Sequence, residues 1–168
     1  MTATDTAAAT DVVVRQMRWW DMEHVHVLEE QAFPETSWSA EAFWSELAGV
    51  PAARHYVVAE IGHHVVGYAG LMTFGAEADI QTLAVAAERQ RQGVGAGLLD
   101  VLLAEAQRRG CSRVTLEVSA ASEPAQRLYL RRGFEPIARR SGYYGPGADA
   151  LIMRLRLRRS DEREESAP

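Results

Sequence analysis

The stretch Arg89-Gln90-Arg91-Gln92-Gly93-Val94-Gly95-Ala96-Gly97 carries the residues best suited by type and spacing to chemistry. It follows an apolar, strand-like run (Ile80, Leu83, Val85) and opens an amphipathic helix. Glycines at positions 93 and 95 remove side chains where the chain turns into that helix. Backbone N–H groups can then approach a ligand closely, and the unpaired amides of a helix start favour an anion. A strand, a Gln/Arg-rich glycine turn and a helix together describe a cradle for pyrophosphate. Two common nucleotide motifs are excluded. A P-loop requires Gly-x-x-x-x-Gly-Lys-Ser/Thr, and the chain has no lysine. A dinucleotide fingerprint requires Gly-x-Gly-x-x-Gly in a first βα unit, whereas Gly93, Gly95 and Gly97 alternate and lie mid-chain.

Gln90-x-x-Gly93-x-Gly95 resembles the acyl-CoA signature of the GCN5-related N-acetyltransferases. The resemblance implies that Arg91, Gln92, Gly93, Val94, Gly95 and Ala96 bind the coenzyme A pyrophosphate. Leu83-Ala84-Val85 matches the strand whose backbone aligns the acetyl and pantetheine portions. Acetyl transfer from a thioester to an amine poses two proton problems. An α-amine, with a pKa of about 8, must lose a proton at neutral pH, and the departing thiolate benefits from receiving one. The thioester is already activated, so the chemistry requires no enzyme nucleophile and no metal. A carboxylate near the amine, a weak acid near the sulfur and amides polarising the carbonyl suffice.

Glu117 suits the first role. It sits within Val114-Thr115-Leu116-Glu117-Val118, where burial would raise its pKa toward a useful value. The alternating strand equally allows a solvent-facing position. Tyr129 suits the second role as a phenol protonated at neutral pH, and it equally suits the core face of a short helix. Leu116-Glu117-Val118 followed by Leu128-Tyr129-x-x-x-Gly133-Phe134 resembles the corresponding run of the bacterial ribosomal-protein-alanine N-acetyltransferases, the RimI group. That resemblance implies Glu117 as general base and Tyr129 as general acid. Phe33-Pro34…Trp38-Ser39…Phe43, Arg139-Arg140…Tyr143-Tyr144 and Asp149-Ala150-Leu151-Ile152-Met153 resemble further segments of the same group. They imply an acceptor groove bordered by Trp38 and Tyr143. Ser122 stands where the family usually has an asparagine contacting coenzyme A, so the chain departs from the pattern there. Serine can still hydrogen-bond and cap the following helix. Gly142 is an additional residue in the Arg-Arg-Tyr-Tyr turn.

The elements that must position these residues are legible from periodicity. Val12–Met17 reads as a first strand. Asp21 reads as the cap of a helix running to about Ala32, and Ser39 as the cap of a helix over Ala40 to Ala48. His55–Ile61 and His64–Phe74 form a hairpin through Gly62, followed by a strand from about Glu77 to Val85. A helix from about Val94 to Arg109 places Leu98, Leu99, Leu102, Leu103 and Ala106 on one face and stops at Gly110. A strand over Arg113–Val118, a helix from Ser122 to Gly133 and strands at Phe134–Ile137 and Ala150–Leu157 complete the chain. The pattern predicts an α/β domain of the GNAT fold. It has a single mixed, mostly antiparallel sheet of six to seven strands, flanked by about four helices.

Composition bounds the remainder. The chain has 168 residues, 47% of them hydrophobic, which suits one domain with a sizeable core. The expected organisation is a disordered arm over 1–11, an acetyltransferase domain over 12–158 and a disordered acidic tail over 159–168. Net charge is −5, with Arg154, Arg156, Arg158 and Arg159 read as the solvated face of a terminal strand. Nucleic-acid binding is not indicated. The single cysteine, Cys111, excludes an internal disulfide and reads as a packed residue. His63-His64 has no further ligand nearby, so no metal is expected. Trp19, Trp20, Trp38 and Trp44 read as packing anchors. No secretory signal and no membrane span is recognised, so a cytoplasmic enzyme acting on a protein or peptide N-terminus is expected. The sequence leaves two other readings open: acetylation of lysine side chains or small amines, and a non-catalytic acyl-CoA-binding module.

Overall fold

A computed structural model describes residues 11–158. The expected arm, apart from Asp11, and the acidic tail lie outside the described residues. Seven strands form one sheet in the order β1-β2-β3-β4-β5-β7-β6. They are β1 (Val12–Gln16), β2 (Arg54–Ile61), β3 (His64–Phe74), β4 (Glu77–Val85), β5 (Arg113–Ser119), β6 (Glu135–Arg140) and β7 (Ala150–Arg156). All neighbours are antiparallel except β4 and β5, which run parallel. Four α-helices accompany them among the described residues: α1 (Met22–Ala32), α2 (Ala40–Ala48), α3 (Val94–Arg108) and α4 (Glu123–Arg131).

The alternation of side chains divides the interior into two layers. On β2, Val57, Ala59 and Ile61 face α3, whereas Tyr56 and Val58 face α1 and α2. Leu98, Leu99, Leu102 and Ala106 of α3 are fully buried against the first layer. Burial of a leucine side chain contributes about 1.5–3 kcal/mol, so this face fixes α3 on the sheet. Val25 and Leu28 of α1 and Phe43 of α2 close the second layer.

Two features prepare a site in mid-sheet. The parallel pairing of β4 with β5 runs only from Glu77↔Arg113 to Ile80↔Leu116. Beyond it the strands part, while β4 stays paired to β3 and β5 to β7. The facing edges past Ile80 and Leu116 therefore present backbone polar groups that no strand satisfies. The second feature is a bulge at Gln81, where Gly70 pairs with Thr82 and Leu71 with Ile80. One extra residue reverses the facing of everything after it. Ala78 and Ile80 join the α3 layer, and after the bulge Ala84 joins the α1 layer.

Several local readings need correction. Asp21 makes no side-chain cap; it is buried and accepts from Arg15 Nη1 at 2.7 Å and from the Arg18 backbone N–H at 2.7 Å. Ser122 occupies the N-cap position of α4 without a side-chain cap bond, whereas Ser39 caps α2 as expected. Trp19, Trp20 and Trp44 are exposed and do not anchor packing. The sixth strand runs to Arg140, because its pairing with β7 continues past Ile137 to Arg140↔Ala150.

Candidate active site

The parting of β4 and β5 opens a cavity of about 820 Å³, within the size range of small-molecule sites. Its floor is the divergent strands, Asp79–Leu83 on one side and Leu116–Ser119 on the other. Phe33 to Trp38 wall one side, and Tyr143 and Tyr144 wall the opposite one. The structure brings Glu117, Tyr129, Ser122, Leu83, Trp38 and Tyr143 to this one cavity.

Glu117 lies at the first unpaired step of β5, where strand alternation points it away from Leu116 and Val118 of the core. Of the two positions the alternating strand allows, the more exposed one holds, because its side chain is 30% exposed. Its neighbours are polar. Arg140 Nη1 lies 3.1 Å from Glu117 Oε1 and its guanidinium stands 5.4 Å from the Tyr143 ring centre. Hydrogen bonding to the Glu117 carboxylate pushes the Tyr143 phenol up, and burial does the same for Tyr144. The turn carrying these tyrosines is fixed by Asp149, which accepts from Gly142 N–H at 2.9 Å and from Arg139 Nε at 2.8 Å.

Tyr129, on α4, is buried and packs edge-on against Phe134. Burial pushes its phenol up to about 12. Trp38 is half-buried against Phe43, with ring centres 5.3 Å apart. Ser122 lines the cavity, its side chain free of the capping bond anticipated for it.

The glycine turn lies at the far end of the gap. Gly93 initiates α3 in the left-handed region at φ +83°, and Arg91 is also left-handed at φ +62°. A Cβ on Gly95 would come within 3.4 Å of Leu128 and 3.6 Å of Val85, so the first turn of α3 lies directly on the end of β4 and on α4. The first hydrogen bond closing the helix runs from Gly97 N–H to the Gly93 carbonyl. Among the described residues the N–H groups of Val94, Gly95 and Ala96 have no partner, as the start of a helix requires. Unpartnered amides at a helix start are suited to an anion.

Three acidic cavity residues, Glu29, Glu35 and Asp79, were not singled out from sequence, and two of them, Glu29 and Asp79, are fully or partly buried. Asp79 is held by Thr115 Oγ1 at 3.1 Å and Gln81 Nε2 at 2.7 Å, and burial raises its carboxyl, with the nearby Glu117 adding to that rise. Glu29 of α1 is 2% exposed. One oxygen accepts from the Trp38 backbone N–H at 3.0 Å and the other from the Tyr68 hydroxyl. Burial raises the Glu29 carboxyl. No sequence signal separates Glu29 from Glu30, since two adjacent acids on an amphipathic helix look alike until one is seen to face inward.

A glycine turn whose helix-start amides are free, close to a split between parallel strands though not on the cavity lining itself, is the arrangement expected of an acyl-CoA-dependent transferase. Residues 14–134 match the acetyltransferase (GNAT) family, and the chain belongs to that family; it is an acetyl-CoA-dependent N-acetyltransferase. Among its relatives is the N-alpha-acetyltransferase RimI of Mycobacterium tuberculosis, 36% identical over 155 residues, covering 89% of this chain and 95% of that protein. A Bacillus subtilis protein provisionally named a ribosomal protein bS18-alanine N-acetyltransferase is 35% identical over 145 residues, covering 86% of this chain and 95% of the relative. The crystal structure of the ribosomal-protein-S18-alanine N-acetyltransferase from Escherichia coli superposes with a TM-score of 0.80 at 27% identity, covering 88% of this chain and 94% of that one.

Proposed function

We propose that this enzyme transfers the acetyl group of acetyl-CoA to the α-amine of a protein N-terminus, the acceptor being an N-terminal alanine of a small-subunit ribosomal protein. The observation that carries the reading is the cavity itself. It joins the parted strands to a mouth walled by Trp38 and Tyr143, with Glu117 and Tyr129 both on its lining. Two relatives named for ribosomal protein alanine acetylation, one by sequence and one by structure, support the choice of acceptor.

The residues present suit the coenzyme. The free amides of Val94, Gly95 and Ala96 would hold the pyrophosphate, with Arg91, Gln92 and Gly93 shaping the turn. The unpaired edge of β4 at Leu83, Ala84 and Val85 would hydrogen-bond the pantetheine amides as a neighbouring strand does. Ser122 offers a shorter contact in place of the family asparagine. When bound, acetyl-CoA supplies a thioester carbonyl already activated toward an amine.

Glu117 takes the proton of the incoming ammonium, directly or through a water. Its partly exposed position on the cavity lining suits exchange with solvent, and Arg140 and Tyr143 hold the carboxylate in place. Tyr129, on the cavity lining, would serve the leaving sulfur as its proton donor. With its phenol near 12 it keeps its proton throughout the neutral range, so it meets the developing thiolate as a donor. A thiol ordinarily titrates near 8.5, so the help is greatest while the C–S bond is breaking.

Thiol release from acetyl-CoA, measured against short peptides with free and blocked N-termini, internal-lysine peptides and polyamines, tests the reading. Turnover confined to free N-termini with alanine preferred is expected. Turnover only on lysine or polyamines would overturn the acceptor, and tight acetyl-CoA binding without turnover on any of them would overturn catalysis.

A further inference from the structure

Glu29 lies outside the proton chemistry assigned above, yet it is the most buried acidic side chain of the cavity lining. Among the described residues no arginine is paired with it; its oxygens accept from the Trp38 backbone N–H, on the loop that walls the acceptor side, and from the Tyr68 hydroxyl of β3. Tyr68 is itself fully buried, and its oxygen accepts from Thr82 Oγ1 at 3.3 Å. Thr82 is the first residue after the Gln81 bulge, next to the Leu83–Val85 edge proposed to hold the pantetheine. The bulge turns Thr82 toward Tyr68 and the α1 side of the sheet.

A carboxylate removed from water is costly unless its oxygens are satisfied, and stability alone is served as well by an apolar residue. What Glu29 adds is a connection. A single side chain on a rigid helix ties the acceptor wall at Trp38, through Tyr68 and Thr82, to the strand edge at which the thioester would be aligned. Of the Phe33–Trp38 loop, Glu29 holds the end nearest α2, and the α1 end is held separately by Phe33 N–H donating to the Glu29 carbonyl at 2.8 Å.

We infer that Glu29 is a positioning residue for the acceptor: the Trp38–Glu29–Tyr68–Thr82 chain sets the distance between the wall that receives the acceptor and the strand that carries the acetyl group. The inference rests on the proposed reading that the acceptor enters between Trp38 and Tyr143. It predicts that loosening this chain weakens use of the acceptor selectively. Glutamine at 29 can still accept from Trp38 N–H and can donate to the Tyr68 oxygen, so it preserves the connection. Alanine at 29 removes it, and Tyr68→Phe cuts it at the middle while leaving the ring in the core.

Steady-state kinetics on Glu29→Ala, Glu29→Gln and Tyr68→Phe, with acetyl-CoA and an alanine-starting peptide, test this. The wild type must first turn over that peptide; failure there would overturn the acceptor reading itself. Given turnover, Glu29→Ala and Tyr68→Phe are expected to raise the acceptor KM by about tenfold, the scale of one charge-assisted hydrogen bond. The acetyl-CoA KM is expected to stay within about twofold, well below that scale, and Glu29→Gln to restore the acceptor KM. If Glu29→Ala does not fold, Tyr68→Phe and Glu29→Gln decide the question between them. Equal changes in both KM values, a fall in kcat alone, or a Glu29→Gln variant as impaired as Tyr68→Phe would overturn the positioning role.

Discussion

At the scale of the residue, Glu117 and Tyr129 divide the proton traffic by environment. Glu117 is 30% exposed and paired with Arg140, whereas Tyr129 is enclosed between α4 and the sheet. Replacing Glu117 by Gln, or Tyr129 by Phe, is expected to lower kcat by about 10²–10⁴-fold, the range for a positioned acid or base. Acetyl-CoA affinity, read by calorimetry, should be unchanged. Parallel loss of binding would show that these side chains hold the coenzyme and do not move protons. Burial of Tyr129 also has a pH signature in stability. The unfolded phenol ionises near 10 and the folded one near 12, so the folded chain retains a proton that the unfolded chain has released. The stabilisation is whole below pH 10 and is lost as pH rises through 12. Urea midpoints measured between pH 9 and pH 12 should fall less steeply in Tyr129→Phe; equal slopes would mean that Tyr129 does not titrate on unfolding.

At the scale of the element, the backbone around α3 and β4 does the positioning. Gly93 holds φ +83°, a region costing an L-residue about 1–2 kcal/mol. Gly93→Ala is therefore expected to turn the first amides of α3 away from the coenzyme. The acetyl-CoA KM should rise by about tenfold, since about 1.4 kcal/mol corresponds to that factor, with the acceptor KM unaffected. An unchanged acetyl-CoA KM would detach the turn from coenzyme binding. This turn, the buried face of α3 and the order of elements along the chain were legible because glycine spacing and apolar period are local signals. The bulge at Gln81 was not. The apolar positions of β4 shift phase between Ile80 and Leu83, but a phase shift alone does not tell a bulge from a strand end, and only pairing with β3 identifies the extra residue. The choice between burial and exposure for Glu117 stayed open for a related reason. Alternation correctly sets it opposite Leu116 and Val118, but sequence does not tell which face of β5 a helix covers at that step. Glu29 stayed hidden because its partners Trp38, Tyr68 and Thr82 are 9, 39 and 53 residues distant along the chain.

At the scale of the whole molecule, the sheet is nearly cut in two. Among the described residues the only strand pairing joining β1–β4 to the group β5-β7-β6 is the short one between Glu77–Ile80 and Arg113–Leu116, and α3, the chain connection between the two parts, packs on β1–β4. A ligand bonded to the turn at α3 and lying between the parted edges bridges the two parts, so binding should stabilise the domain as a unit. Linkage gives about 2.7 kcal/mol at a ligand concentration 100 times Kd, corresponding to roughly 5–10 °C in Tm for a domain of this size. Scanning calorimetry with acetyl-CoA is expected to show a shift of that order in a single transition. Amide exchange should slow most at the β4 and β5 edges beyond Ile80 and Leu116. Gly93→Ala should give a smaller shift at the same concentration. A shift in Tm without protection of those edges would mean that the coenzyme binds at the turn alone. The gap between the strands would then belong entirely to the acceptor.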